Sequence, residues 1–187
     1  MSNMLNAAMI PLDNAINPSS ICNCPDPEIG NPDPFFMTRC CIDKLAKRDP
    51  KRLAEFWARF IKVRHLPAAF TINPYTLTFP ASQEGSYEEM YIVSLYGYEG
   101  RFESSPTITE TIKWIMAGFE MLRKGHLIGG WLDQDTGEYC LDISTVVYGL
   151  DAAMAFAQRN AQKEIYHPFS KASLSVPAHK LNSLAIN

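Results

Sequence analysis

Five cysteines and four histidines are the side chains of this sequence best suited to hold a metal or to act as a nucleophile. Cys22 and Cys24 flank a single residue, and Cys40 and Cys41 are adjacent. Four thiolates can hold zinc, but tetrahedral sites are generally assembled from C-x2-C to C-x4-C knuckles, which let two sulfurs reach one ion without strain. One C-x-C and one adjacent pair fit that geometry poorly. Cys40 and Cys41 also project about a third of a helical turn apart, so at least one faces an apolar stripe, where a free thiol behaves as a small hydrophobe. Zinc on Cys22, Cys24, Cys40 and Cys41 is therefore kept as an alternative, and no cofactor is expected. Cys140 alternates with apolar positions and is assigned to the core. His65, His126, His167 and His179 stand singly, and a Cys–His dyad would need partners that only the fold can bring together.

The densest pattern is GGWLDQDTGEYCLDIS at 129–144. Its Asp133-x-Asp135-x-Gly137-Glu138 begins like a calcium loop. Such a loop needs a third oxygen ligand before the glycine and a bidentate Glu further on, whereas here an apolar strand resumes at Tyr139. Asp and Gly are also what a hairpin connection requires. The stretch is read as two strands joined by a polar turn, with Trp131 and Cys140 in the core. No G-x-S-x-G, G-x-x-x-x-G-K-[ST] or G-x-G-x-x-G motif occurs. The chain is read as a binding protein rather than an enzyme.

Charge is segregated. The net charge is −3, yet residues 1–33 carry four acids and no base. Residues 34–66 carry nine Lys or Arg against three acids, a net +6. Arg39, Lys44, Lys47, Arg48, Lys51, Arg52, Arg59 and Lys62 are the candidate partner-binding residues. Neutralising phosphates is a sequence-independent source of affinity. The isoelectric point of about 5.8 and the lack of an aromatic-basic RNA-binding consensus argue against a dedicated nucleic-acid domain. The same surface suits an acidic protein partner, and the plain alternative is a solvated helix face.

These residues are positioned by elements the sequence signals clearly. Residues 1–33 read as a Pro-rich irregular arm. Residues 34–66 read as a basic αα-hairpin: Asp33-Pro34 opens the first helix and Asp49-Pro50 the second. Leu53, Phe56, Trp57, Phe60 and Ile61 form an apolar stripe on the second helix. Residues 67–169 read as an α+β core domain. It comprises a strand at 90–98, one helix over 106–124 with a Thr107–Glu110 capping box and a stop at Gly125, and two strands around the Asp-rich turn. A helix capped by Asp151 and a strand at 163–167 complete it. That β-α-β-β-α-β order predicts a ferredoxin-like antiparallel sheet. Residues 170–187 read as a mobile tail. No apolar run approaches the ~20 residues that span a bilayer, so no membrane contact is expected. An odd cysteine count and a first segment without Lys or Arg point to a reducing cytoplasm.

IGGWLDQDTGEYCLDISTVV followed by LDAAMAFAQRNAQKEIY resembles a module of small uncharacterised proteins of bacteriophages and mobile elements. In these a Gly-Gly-Trp, an Asp-x-x-Thr-Gly turn, a Leu-Asp-x-Ser strand and a helix ending near Asn-x-Gln occur together. FTINPYTLTFP and YIVSLYGYE resemble the segment that precedes it, and the resemblance spans about residues 69–168. It brings no activity and no catalytic residue. It implies an accessory protein acting in the cytoplasm of a bacterial host cell. The expected role is inhibition of a restriction-like or CRISPR-like defence complex, or of another nucleic-acid-handling complex, by binding and occlusion. The alternative is a virion structural protein making homo-oligomeric contacts.

Overall fold

The computed structural model describes residues 39–80 and 87–177, with side chains from Ile42 onward. The arm, the Asp33-Pro34 start and residues 178–187 lie outside the described residues. Asp49 separates two helices, α1 (Arg39–Arg48) and α2 (Pro50–Arg64). Asp49 leaves the helical conformation and its Oδ1 accepts the Arg52 N–H at 3.0 Å. Pro50 takes the first helical position, where the missing N–H has no partner to lose. Leu53, Phe56, Trp57 and Ile61 are buried along α2, joined by Ile42 and Leu45 of α1. Trp57 stacks at a tilt on Phe119, with ring centroids 5.9 Å apart, so this helix belongs to a shared core and is no appendage.

By their contacts the described residues divide into two compact units, where one core domain over 67–169 was expected. Residues 39–80 and 98–144 form one unit. It holds β1 (Phe70–Ile72), β3 (Gly100–Phe102), α3 (Ile108–Ala117), α4 (Phe119–Arg123), β4 (Leu127–Leu132) and the first six residues of β5 (Tyr139–Tyr148). β1 pairs β4, β4 pairs β5 and β3 pairs β5, all antiparallel. The capping box is present: Thr107 Oγ1 accepts the Glu110 N–H at 3.2 Å, and the Glu110 carboxylate accepts the Thr107 N–H at 2.8 Å. The single helix expected over 106–124 is two helices, broken at Gly118. A Cβ there would fall inside Ile143 Cδ1. The approach of the Ile143 side-chain end favours a residue without a side chain here, and glycine weakens helix continuity at the same point.

The other unit comprises residues 87–97 and 145–177. It contains a 3-10 turn (Tyr87–Glu89), β2 (Met90–Ser94), α5 (Leu150–Arg159), β6 (Glu164–His167) and β7 (Ala172–Ser175). Tyr91, Val93, Ala153, Ala157 and Ile165 form its core. The cap of α5 is Gly149, at φ +83°, with Asp151 inside the first turn. β7 pairs antiparallel with β6 where the sequence suggests the start of a mobile tail. Its burial alternates, with Leu174 packed on the core and Ser173 and Ser175 outward, a pattern too short and polar to stand out in the sequence.

Across the described residues the chain is α+β. It has five helices and seven strands, with antiparallel pairs β1–β4, β4–β5 and β3–β5 in the first unit and β2–β6 and β6–β7 in the second. No described helix is long and apolar enough to cross a membrane.

Candidate interaction surface

Six of the eight predicted basic residues have side chains that face solvent or its margin. Lys44, Lys47 and Arg48 are exposed on α1, Lys51 and Arg59 are exposed on α2, and Arg52 is half-buried. Lys62 is different. Its Nζ donates to Ser105 Oγ at 3.2 Å and to the Pro106 carbonyl at 3.1 Å, tying α2 to the approach to α3. It therefore serves the fold of this unit, which no spacing rule reveals because its partners lie more than forty residues away. The Arg39 side chain lies outside the described residues. Asp43, Asp49 and Glu55 are interspersed with the bases, so the face is basic but of mixed sign.

The acidic stretch resolves into a tight turn. Asp133 Oδ1 accepts the N–H groups of Asp135 and Thr136 at 3.0 and 3.3 Å, and Gly137, at φ +74°, closes the turn with its N–H on the Asp133 carbonyl at 2.8 Å. Arg101 of β3 donates to Asp133 at 2.9 Å, Glu138 at 3.1 Å and Glu99 at 2.6 Å. The Arg101 guanidinium, with help from the turn N–H groups, holds the Asp133 carboxyl below its usual range. These acids surround a protein cation. Among the described residues no cluster of three His, Cys, Asp or Glu side chains is placed to hold a metal.

Cys140 is fully buried, and burial pushes its thiol up to about 11, which keeps it protonated and unreactive at neutral pH. Cys22 and Cys24, and the side chains of Cys40 and Cys41, lie outside the described residues. Trp131, expected in the core, is 36% exposed. It follows the buried Gly129 and Gly130 at the point where β4 leaves the covered part of the sheet.

Where the helix breaks at Gly118 a cleft of about 310 Å3 opens, lined by Pro50, Tyr98, Met116, Phe119 and Met121 among others. Helical spacing of Ile112, Ile115, Met116, Phe119 and Leu122 assigns Met116 to a buried stripe, but it is 39% exposed at the lip of this cleft. The signal that could have exposed the error is Gly118 itself, an isolated glycine inside a helical pattern. A second, charged depression of about 210 Å3 is formed by Asp49, Lys51, Arg52 and Glu55.

Two histidines of this unit couple it to pH. His65 stacks on Phe70 with centroids 4.9 Å apart, and its Nε2 is buried without a hydrogen-bond partner. Burial, and then the charge of Arg64, lower its proton affinity; burial and Lys124 do the same for His126. A histidine depressed in the folded state binds its proton more readily when unfolded. Its contribution is thus fully present above the ordinary imidazole value of ~6.5 and is lost as pH falls from there toward the folded value. Thermal midpoints should fall between pH 7 and pH 5, and the fall should be smaller in His65→Phe, which keeps the ring stack without the titrating nitrogen. An equal fall in that variant would remove His65 from the account.

No protein-family model, curated protein or solved structure matches this chain.

Proposed function

We propose that this protein acts by binding, through the basic face of α1 and α2, to an acidic surface of a host protein or protein–nucleic-acid complex. The observation that carries the reading is the concentration of exposed Lys44, Lys47, Arg48, Lys51 and Arg59 on two adjoining helices of an otherwise acidic chain. Complementary charge of this kind speeds encounter and selects among partners more than it adds affinity. The resemblance of residues 69–168 to phage and mobile-element proteins supports a more specific role: occlusion of a bacterial defence or nucleic-acid-handling complex in the host cytoplasm. The matching scaffold is a ferredoxin-like β-α-β-β-α-β unit with an N-terminal αα-hairpin added. The antiparallel pairs β4–β5 and β2–β6 and the succession of α1 and α2 at Asp49-Pro50 support that description.

The test is affinity capture from bacterial host lysate with quantitative mass spectrometry. The triple reversal Lys44→Glu, Lys47→Glu, Arg59→Glu should lose the captured partner with an unchanged thermal midpoint. Lys62 is left intact because it holds Ser105 and Pro106. Capture unaffected by the triple reversal would remove the basic face from the mechanism.

A further inference from the structure

We propose that the outer edge of β7 pairs with the same edge of a second copy, so that the protein forms a symmetric dimer through an antiparallel β7–β7 ladder. The basic residues of α1 and α2 play no part in this contact, and the two readings stand or fall separately.

Val176 donates its N–H to the Lys163 carbonyl at 2.7 Å, just past the last residues of the β6–β7 pair. The register continues with Ser175 opposite Glu164, Leu174 opposite Ile165, Ser173 opposite Tyr166 and Ala172 opposite His167. In an antiparallel pair only alternate residues exchange hydrogen bonds with the neighbouring strand. Counted from Val176, Leu174 and Ala172 turn their N–H and C=O groups toward β6, and Ser173 and Ser175 turn theirs away. Among the described residues β7 pairs β6 alone. Its outer edge therefore offers two donors and two acceptors in line, a template for another extended strand. Natural edges are kept from pairing by charges, prolines or bulges. Ala172, Ser173, Leu174 and Ser175 include no charge and no proline.

A second copy is the occupant this edge fits, because its pattern is symmetric about Leu174. With Leu174 on the two-fold axis, Ser173 lies opposite Ser175 of the second copy, and Ser175 lies opposite its Ser173. The outward N–H and C=O groups of all four serines are then bonded. On the core face Leu174 meets Leu174 of the second copy, and Ala172 meets its Val176. All three positions are half-buried, and Leu174 and Val176 already pack on the core of this unit. Each copy thus extends the apolar layer of the other, while exposed serines meet serines on the opposite face. Lys171 falls opposite Pro177 of the second copy, which places the two lysines at opposite ends of the ladder. At ~3.3 Å per residue they are about 20 Å apart, beyond the screening length of about 8–10 Å. A charged strand would repel its own copy in this register, and this neutral one does not. So short a ladder is small beside stable interfaces of ~1,200–2,000 Å2, so the dimer forms reversibly and with concentration.

Sedimentation equilibrium of the full chain tests this. From about 1 μM to about 1 mM, the mean mass should rise from 21.0 kDa toward twice that value. The Ser173 and Ser175 amides should exchange with deuterium more slowly as the dimer forms. Both serine side chains are exposed, so the register can be tested without disturbing the core. The double variant Ser173→Lys, Ser175→Lys sets like charges directly opposite at two places and should weaken the dimer about tenfold or more. Ser173→Glu, Ser175→Lys sets opposite charges at the same two places and should associate at least as tightly as wild type. The lysine at position 175 lies across from Glu164 in both variants, so that neighbour is held constant. A chain that stays at 21.0 kDa throughout, with the edge left to water or to another segment, would overturn the proposal. So would a dimer that the two-lysine variant leaves unchanged. A Glu–Lys variant as weak as the two-lysine one would overturn the two-fold at Leu174 and the contact with it.

Discussion

Truncation of Trp57 to alanine is expected to lower the unfolding free energy by about 3–5 kcal/mol, the range for removing a buried aromatic and leaving a cavity. Trp57 is 1% exposed and lies between α2 and the segment that begins α4. Three losses combine. The transfer free energy of the indole is forfeited, the tilted contact with Phe119 disappears, and the buried Pro74 carbonyl loses the Nε1 donor now 3.0 Å away. An orphaned buried acceptor alone costs about 1–3 kcal/mol, so Trp57→Phe, which keeps most of the volume, should fall between wild type and alanine. Urea titration with the m-value monitored measures the series. A Trp57→Ala midpoint equal to wild type would show that α2 is not held by this side chain.

The second large effect is expected at Gly130. A Cβ there would fall inside Phe70 Cε1 and within 2.8 Å of Tyr139 Oη. Neither ring can yield freely. Phe70 is stacked on His65, and the buried Tyr139 donates its hydroxyl to the Ala68 carbonyl at 2.9 Å. Overpacking of this kind costs about 1–3 kcal/mol, occasionally more, and Gly130→Ala should sit at the upper end because the Tyr139 hydrogen bond is placed at risk as well. Gly137→Ala is the informative comparison. Nothing lies within 4 Å of a Cβ at Gly137, but φ is +74°, so only the left-handed backbone penalty of about 1–2 kcal/mol applies. If Gly130→Ala is milder than Gly137→Ala in denaturant titration, the rings over Gly130 are more mobile than their contacts imply.

Gly130 and its neighbour Gly129 also show why the Gly-Gly-Trp…Leu-Asp-x-Ser pattern is so conspicuous. Gly129 lies opposite Asp142 in the β4–β5 ladder, and a Cβ at Gly129 would fall inside the Asp142 carboxylate. The buried Asp142 in turn accepts the Ser144 hydroxyl at 3.0 Å. Gly129 makes room for the carboxylate, Ser144 helps to satisfy it, and Gly130 accommodates Phe70 and Tyr139. Residue types that suggest a site therefore meet packing requirements across strands.

Local signals were legible wherever a short-range rule governs the outcome. The Asp49-Pro50 start, the Thr107–Glu110 capping box, the Asp-x-x-Thr-Gly turn and the α2 stripe each depend on neighbours within about two turns, and each appears where the residues indicate, save that Phe60 of the stripe is only half-buried. The α3–α4 break, the exposure of Met116 and Trp131, the addition of β7 and the engagement of Lys62 were not legible. The break and the role of Lys62 depend on groups distant in the chain, Ile143 over Gly118 and Ser105 and Pro106 beneath Lys62, whereas β7 pairs its near neighbour β6 through residues too few and too polar to stand out.

By itself, then, the sequence determined the α+β class, most of the helix and strand positions, and the concentration of positive charge before residue 66, because propensity, capping and composition act over short spans. Tertiary structure alone decided which of those charges face solvent and which is tied into the fold, and where a cleft opens beside them. Side-chain exposure is set by which distant surfaces approach, and in this chain one close approach, of Ile143 to Gly118, coincides with the break that interrupts the helix and with the cleft beside it.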